Sequence, residues 1–203
     1  MVKKADIPQH LIDTAFRLAE ERGWADLSLA DIAREAKLPL SKVYPVFHSK
    51  AALLDGFTRM IDAAVLAEGE DEDDFDAAEP ARDRLFDVVM RRFDALRPYR
   101  DGLGRIAYDQ ARDPVALCCS LCALRRSMVL MLEAAGLSSS GLRGQLRIKG
   151  LSAIYLATLR VWLRDETADL SKTMAALDGY LRRFEGLATR LNRRGRGTAE
   201  QAA

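Results

Sequence analysis

From residue 7 to residue 191 the apolar positions recur three and four residues apart, the period of an amphipathic helix, with breaks at Gly, Pro or short polar clusters. Ile7, Leu11, Ile12, Ala15, Phe16, Leu18 and Ala19 predict a first helix that Gly23 stops. Asp6 is placed to cap it, with Pro8 in the first turn and Gln9 reaching back. Ser28, followed three residues later by Asp31, predicts a second start, with Leu29, Ile32, Ala33 and Ala36 on its apolar face. Lys37-Leu38-Pro39 interrupts the pattern, because the proline ring fixes its own backbone and biases Leu38 away from helix. A third, short helix restarts at Leu40 or Ser41 and carries Val43, Tyr44 and Phe47 towards a core, with Pro45 set to end or kink it.

The same reading continues to the other end. A fourth helix spans about Lys50 to Ala67, and an acidic run from Glu68 to Asp76, without a single base, reads as a solvated loop. Leu85, Val88, Val89 and Phe93 mark a fifth helix that ends before Pro98; shorter and longer ones follow from about Tyr99 to Ala111 and from Val115 to Ala135. The last two cover about Gly141 to Arg164 and Leu170 to Leu191. The fold class is all-α, about nine helices with no convincing strand. The first of the last two is apolar on more than one face, so something must cover it on several sides; the rest of one chain could do so, and a homodimer through the last two helices is the expectation.

Composition changes this picture little. Of 203 residues, 49% are hydrophobic and 30% charged, enough for a core, and the net charge of +1 means that any nucleic-acid footprint must be local. No run of about eighteen uninterrupted apolar residues is present and the start has no apolar signal region, so the expectation is a cytoplasmic protein with no membrane span. Cys118, Cys119 and Cys122 form no disulfide framework and read as small buried hydrophobes. No Gly-rich phosphate loop, paired helical His motif or acid/base set is present, which predicts no enzyme, no cofactor and no metal.

Two short helices joined by a tight turn make a helix-turn-helix, which lays its second helix in the DNA major groove. Between Lys37 and Lys50 there are three lysines, His48 and no acid, a set suited to phosphate oxygens. Ser28-Leu-x-x-Ile32-Ala33-x-x-Ala36 followed by Val43-Tyr44-x-x-Phe47-x-Ser49-Lys50-x-x-Leu53-Leu54 resembles the DNA-binding segment of the TetR/AcrR transcriptional regulators. The resemblance implies that Ser28, Lys42, Tyr44 and Lys50 contact the DNA backbone, that Leu40 and Ser41 lead the recognition helix, and that the protein is a dimer. With Lys37 these form the candidate interface to a double-stranded DNA operator. The family commonly has Tyr-x-His-Phe where this chain has Tyr44-Pro45-Val46-Phe47, and no Arg, Asn or Gln lies between Lys37 and Lys50 to pair bidentately with a base.

A second resemblance lies near the C-terminus. Ala153-Ile154-Tyr155-Leu156-Ala157-Thr158-Leu159-x-x-Trp162-Leu163-x-Asp165, with Asp169-Leu170-Ser171-x-Thr173-x-Ala175-x-Leu177-Asp178, is similar to the COQ9 proteins and implies an apolar small-molecule or lipid effector. Met90, Phe93, Tyr108, Met128, Tyr155 and Trp162 are the candidate pocket residues, being adaptable or amphipathic side chains on helices expected to share a core. Two readings follow. One is a ligand-responsive transcriptional repressor with a helix-turn-helix domain at 1–50 and a helical effector-binding and dimerisation domain at 51–203. The other is a COQ9-like lipid-binding accessory protein of ubiquinone biosynthesis whose helix-turn-helix is vestigial.

Overall fold

A computed structural model describes residues 6–70 and 79–200. Most of the acidic run, residues 71–78, lies outside the described residues, as do the side chains of 70 and 187–200, including the basic positions Arg190, Arg193, Arg194 and Arg196. Among the described residues there are nine α-helices and no strand: α1 (Ile7–Arg22), α2 (Leu29–Glu35), α3 (Leu40–Val43), α4 (Lys50–Glu70), α5 (Ala81–Leu96), α6 (Arg100–Gln110), α7 (Pro114–Ala134), α8 (Gly141–Trp162) and α9 (Ser171–Glu200). A 3-10 turn, Arg97–Tyr99, joins α5 to α6.

The chain divides into two compact units. The first comprises Met1–Asp71 and Arg92–Ser127. Its core is built from the stripe the sequence marks on α1 (Leu11, Ile12, Ala15, Phe16, Leu18 and Ala19), closed by Ile32, Val43, Phe47, Leu53 and Phe57. Tyr99 meets Phe16 and Phe57 edge to face at ring-centroid distances of 5.2 and 5.0 Å, and the two phenylalanine rings pack tilted at 4.2 Å. The Tyr99 hydroxyl donates to Asp13 at 2.9 Å and accepts from the Gln9 amide at 2.7 Å. Gln9 therefore does not reach back to the helix start, and Asp6 makes no side-chain cap; the nearby phenol and carboxylate offer the amide better partners. Helix α6 lies close to α1 because position 102 is glycine: a Cβ there would sit 2.6 Å from the Phe16 carbonyl oxygen. Asp62, Arg92 and Ser127 form a buried polar knot, in which the Ser127 hydroxyl donates to Asp62 at 2.9 Å and Arg92 donates to both.

The second unit comprises Glu72–Arg91 and Met128–Ala203. Leu85, Val88, Val89, Met128, Met131, Leu132, Ile148, Leu151, Ile154, Trp162, Leu177 and Leu181 are buried in it. Arg84 donates to the Ala135 carbonyl at 2.9 Å, fixing α5 to the end of α7. Asp165, fully buried, accepts the Thr173 amide at 2.8 Å and hydroxyl at 2.7 Å together with the amide and hydroxyl of Thr167, and so caps the start of α9 from outside the helix.

Helix α7 differs from its sequence reading. Cys118, Cys119 and Cys122 are exposed and not buried. The buried positions of this helix lie in its second half, at Ser127, Met128, Met131 and Leu132, so the apolar first half carries its thiols outward with Val115, Leu117 and Leu121. By length and composition α7 is apolar enough to cross a membrane, with a mean hydropathy of 1.8 in its most apolar window, although Arg125 and Arg126 stand within the helix.

Candidate nucleic-acid interface

Helix α2 starts as its sequence dictates. The Ser28 hydroxyl accepts the Asp31 amide at 3.1 Å while the Asp31 carboxylate accepts the Ser28 amide at 3.0 Å, a reciprocal cap that satisfies two orphan donors. The Ser28 hydroxyl beside it, and then its amide, hold the Asp31 carboxyl below its ordinary pKa. At the other end, the Leu38 amide reaches the Ala33 carbonyl at 3.0 Å and the Lys37 amide reaches that of Arg34 at 3.1 Å. This closing turn requires a left-handed residue, and Lys37 supplies it at φ +55°, where glycine is the usual choice. Pro39, at φ −66° and ψ 144°, then directs the chain into α3.

Helix α3 is one turn long. Val43 and Phe47 are buried beneath it, and the Phe47 amide still reaches the Val43 carbonyl at 2.9 Å. Pro45 has no N–H to offer Ser41, so the helix ends at Val43 and residues 44–46 form a turn. The outward side carries Leu40 (46% exposed), Ser41, Lys42 and Tyr44 (60% exposed). Tyr44 therefore does not enter the core with Val43 and Phe47, as the spacing had suggested. Its phenol stands on the same outward side as Leu40, four residues earlier. Two links hold this pair of helices on α1: a ring nitrogen of His10 with the Ala36 carbonyl at 3.1 Å, and Arg17 with Glu35 at 2.7 Å.

Such a face suits a nucleic-acid backbone better than it suits base edges. Lys42, Ser41 and the Tyr44 hydroxyl can donate to phosphate oxygens, and Leu40 offers apolar surface of the kind that meets a thymine methyl. Lys37 is exposed at the turn. Lys50 is different: its ammonium donates to the Trp24 carbonyl at 2.8 Å and lies 4.9 Å from the centre of the Trp24 ring. Burial lowers its pKa, against the weaker pull of Asp26 and Asp109. Lys50 braces the start of α4 against the loop between α1 and α2.

Asp109 is a residue that the sequence reading missed. From α6 it accepts the amides of Trp24 at 2.7 Å and Ala25 at 3.1 Å, immediately before α2. Burial works against its charge, but those two amides together with the nearby Arg105 and Arg112 outweigh it and its pKa is lowered. No local signal marks a carboxylate that acts 84 residues away in the chain.

The six candidate pocket residues are divided between the units. Phe93 is buried in the first, and Tyr108, also in the first, is 54% exposed with the Arg112 guanidinium 3.8 Å from its ring centre. Tyr108 fails to join a core because Ile106, two residues earlier, takes the inner face of α6. In the second unit Met128, Tyr155 and Trp162 are buried and Met90 is half-buried. Two recesses in that unit are lined by other residues.

Residues 11–56 match the family of bacterial regulatory proteins, tetR family. The fold as a whole resembles that of a TetR transcriptional regulator from Nitrosomonas europaea ATCC 19718, with 23% identity, a TM-score of 0.69, and 88% of this chain and 98% of that chain covered. It also resembles a TetR transcriptional regulator from Rhodococcus sp. RHA1, with 16% identity, a TM-score of 0.62, and 90% and 97% covered. No curated protein sequence matches. The chain thus carries a TetR-type N-terminal domain and a TetR-like helical fold.

Proposed function

We propose that this chain is a cytoplasmic, non-enzymatic transcriptional regulator that binds a double-stranded DNA operator as a homodimer. Residues 1–50 form the reader and residues 51–203 the effector-binding and dimerisation domain. It acts as a repressor: an apolar small molecule, held among helices of the second unit that include Met90, Met128, Tyr155 and Trp162, changes the spacing of the two reading helices and lowers operator affinity by a coupling of about 1 to 3 kcal/mol. The observation that carries this reading is the outward side of α3. Leu40, Ser41, Lys42 and Tyr44 stand free of the core along α3 and its closing turn, and the buried Val43 and Phe47 fix the direction of this segment. The matched family and the named structures favour this over the COQ9-like alternative.

The test is selection of fragmented genomic DNA on the purified protein at about physiological salt, where non-specific phosphate binding is already weakened. Enrichment of one palindromic site is the expected result, with half-sites about one helical turn apart. A folded protein that enriches nothing overturns the proposal.

A further inference from the structure

The outward side of α3 and its closing turn presents Leu40, Ser41, Lys42 and Tyr44, all exposed. Each base pair shows its own pattern of donors, acceptors and methyl groups in the major groove, so these side chains limit what can be read. A hydroxyl such as that of Ser41 donates or accepts and favours no one base. Lys42 is a mobile point charge, suited to a phosphate or to the acceptors of a guanine. Leu40 has no polar group beyond its backbone, and the apolar group that a base edge shows in that groove is the C5-methyl of thymine. Against any other edge, Leu40 would take a hydrogen-bonding group out of water without replacing the lost bond.

Position strengthens the case for Leu40. It is the first residue of α3, 46% exposed, with the exposed Pro39 before it and Tyr44 one turn later on the same side. The backbone of Pro39, at φ −66° and ψ 144°, and the buried Val43 and Phe47 fix where it points. In a helix-turn-helix the leading residues of the second helix are those that meet base edges. Lys42, two residues on, leaves the helix roughly 200° away, so it does not share Leu40's direction.

We propose that Leu40 is a specificity-determining residue that selects thymine: each half-site carries an A·T pair whose thymine methyl packs on this side chain. The inference rests on the operator reading given above and names what that reader recognises. Uracil, which is thymine without the methyl, is rejected, and 5-methylcytosine, which carries the methyl at the same ring position, is preferred to cytosine.

The experiment begins with selection of random-sequence DNA duplexes by the full chain at about physiological salt. One A·T pair should be invariant at the same place in each half-site. The selected duplex is then synthesised with uracil for that thymine, and with cytosine or 5-methylcytosine opposite guanine, and affinities are measured by fluorescence anisotropy. Loss of one methyl should weaken binding about fourfold, and loss of both, one per half-site, about fifteenfold. 5-Methylcytosine should bind more tightly than cytosine by a similar factor. Leu40→Ala should bind the thymine and uracil duplexes equally, whereas Lys42→Ala should bind both more weakly and keep their ratio. The uracil duplexes test the proposal on the unaltered protein, so it does not depend on how well a variant folds. Equal binding of thymine and uracil, a ratio that survives Leu40→Ala, or a selected site invariant only at G·C pairs overturns the assignment to Leu40 and leaves the regulator reading standing. A folded chain that selects no site removes that reading and this proposal with it.

Discussion

Lys37, Lys42 and Lys50 look equivalent in sequence, and the structure gives them three different tasks. Lys37 holds the left-handed position of the α2 turn, where a side chain costs about 1 to 2 kcal/mol. Lys37→Gly relieves that strain but adds about 0.5 to 1 kcal/mol of backbone entropy to the unfolded chain. A net stabilisation of about 0.5 kcal/mol is expected in urea unfolding, with a salt slope of DNA binding shallower by about 1 if its ammonium meets a phosphate. Lys42 is exposed on α3, so Lys42→Ala should lower the slope by a similar amount and leave stability within about 0.5 kcal/mol. Lys50→Ala should do the reverse, costing about 1 to 3 kcal/mol as the Trp24 carbonyl loses its charged donor, with little change in slope. A slope change at Lys50 as large as that at Lys42 would place its ammonium on the DNA. Asp165 allows a test by pH. Burial alone would raise its pKa, but the hydroxyls and amides of Thr167 and Thr173 outweigh burial and hold it well below the ordinary value of 3.8. A carboxylate lowered on folding stabilises at every pH above the unfolded value, and that stability drains away as pH falls below about 4. Asp165→Asn should therefore cost about 2 kcal/mol or more at neutral pH, and the gap between variant and parent unfolding curves should narrow below pH 4. A gap independent of pH would mean that the charge is not what holds the start of α9.

At the scale of elements, the helices were legible where apolar period and punctuation agreed. The Ser28–Asp31 cap, the stop at Gly23 and the break at Pro39 all act over fewer than five residues, which is why sequence sufficed. Contacts between elements were not legible. Gln9 turns to Tyr99 and Asp13, Tyr44 leaves the core that its spacing suggested, and the α7 thiols face outward, because each depends on which neighbour arrives and not on period. The junction of α6 with α1 and the loop before α2 is the clearest such contact. It rests on Gly102, which admits the Phe16 carbonyl, and on Asp109, which accepts the Trp24 and Ala25 amides. Gly102→Ala should cost about 1 to 3 kcal/mol, because backbone and not a flexible side chain occupies the space. Asp109→Ala, leaving two amides without their acceptor, should cost a similar amount, about 1 to 3 kcal/mol. Both should weaken DNA binding at temperatures where circular dichroism shows the protein fully folded, since α2 starts from that loop and α3 follows α2. Unchanged DNA affinity in a folded Asp109→Ala protein would limit the contact to stability.

At the scale of the whole molecule, the length of α3 is decisive. A four-residue helix with no Arg, Asn or Gln offers few groups to base edges, so as the proposed reader one chain alone has little with which to discriminate between sites. Two copies double the contacts and add the spacing of half-sites as information. The proposed second copy needs a seam, and the described residues offer two apolar stripes. One, on the first half of α7, consists of Leu117 and Leu121 beside the cysteines; the other, on α8, consists of Leu142, Leu146 and Leu156, of which Leu142 is 92% exposed. The proposed dimer uses α8 and α9, and charged substitutions decide the matter. Burying one leucine is worth about 1.5 to 3 kcal/mol, and each substitution acts twice across a two-fold axis. Leu146→Asp with Leu156→Asp should therefore weaken dimerisation about a hundredfold or more in sedimentation velocity and remove binding to a palindromic site while leaving the helical content intact. Leu117→Asp with Leu121→Asp should leave both the dimer and its DNA affinity unchanged. The opposite pattern would move the seam to α7 and bring Cys118, Cys119 and Cys122 of the two copies into the interface.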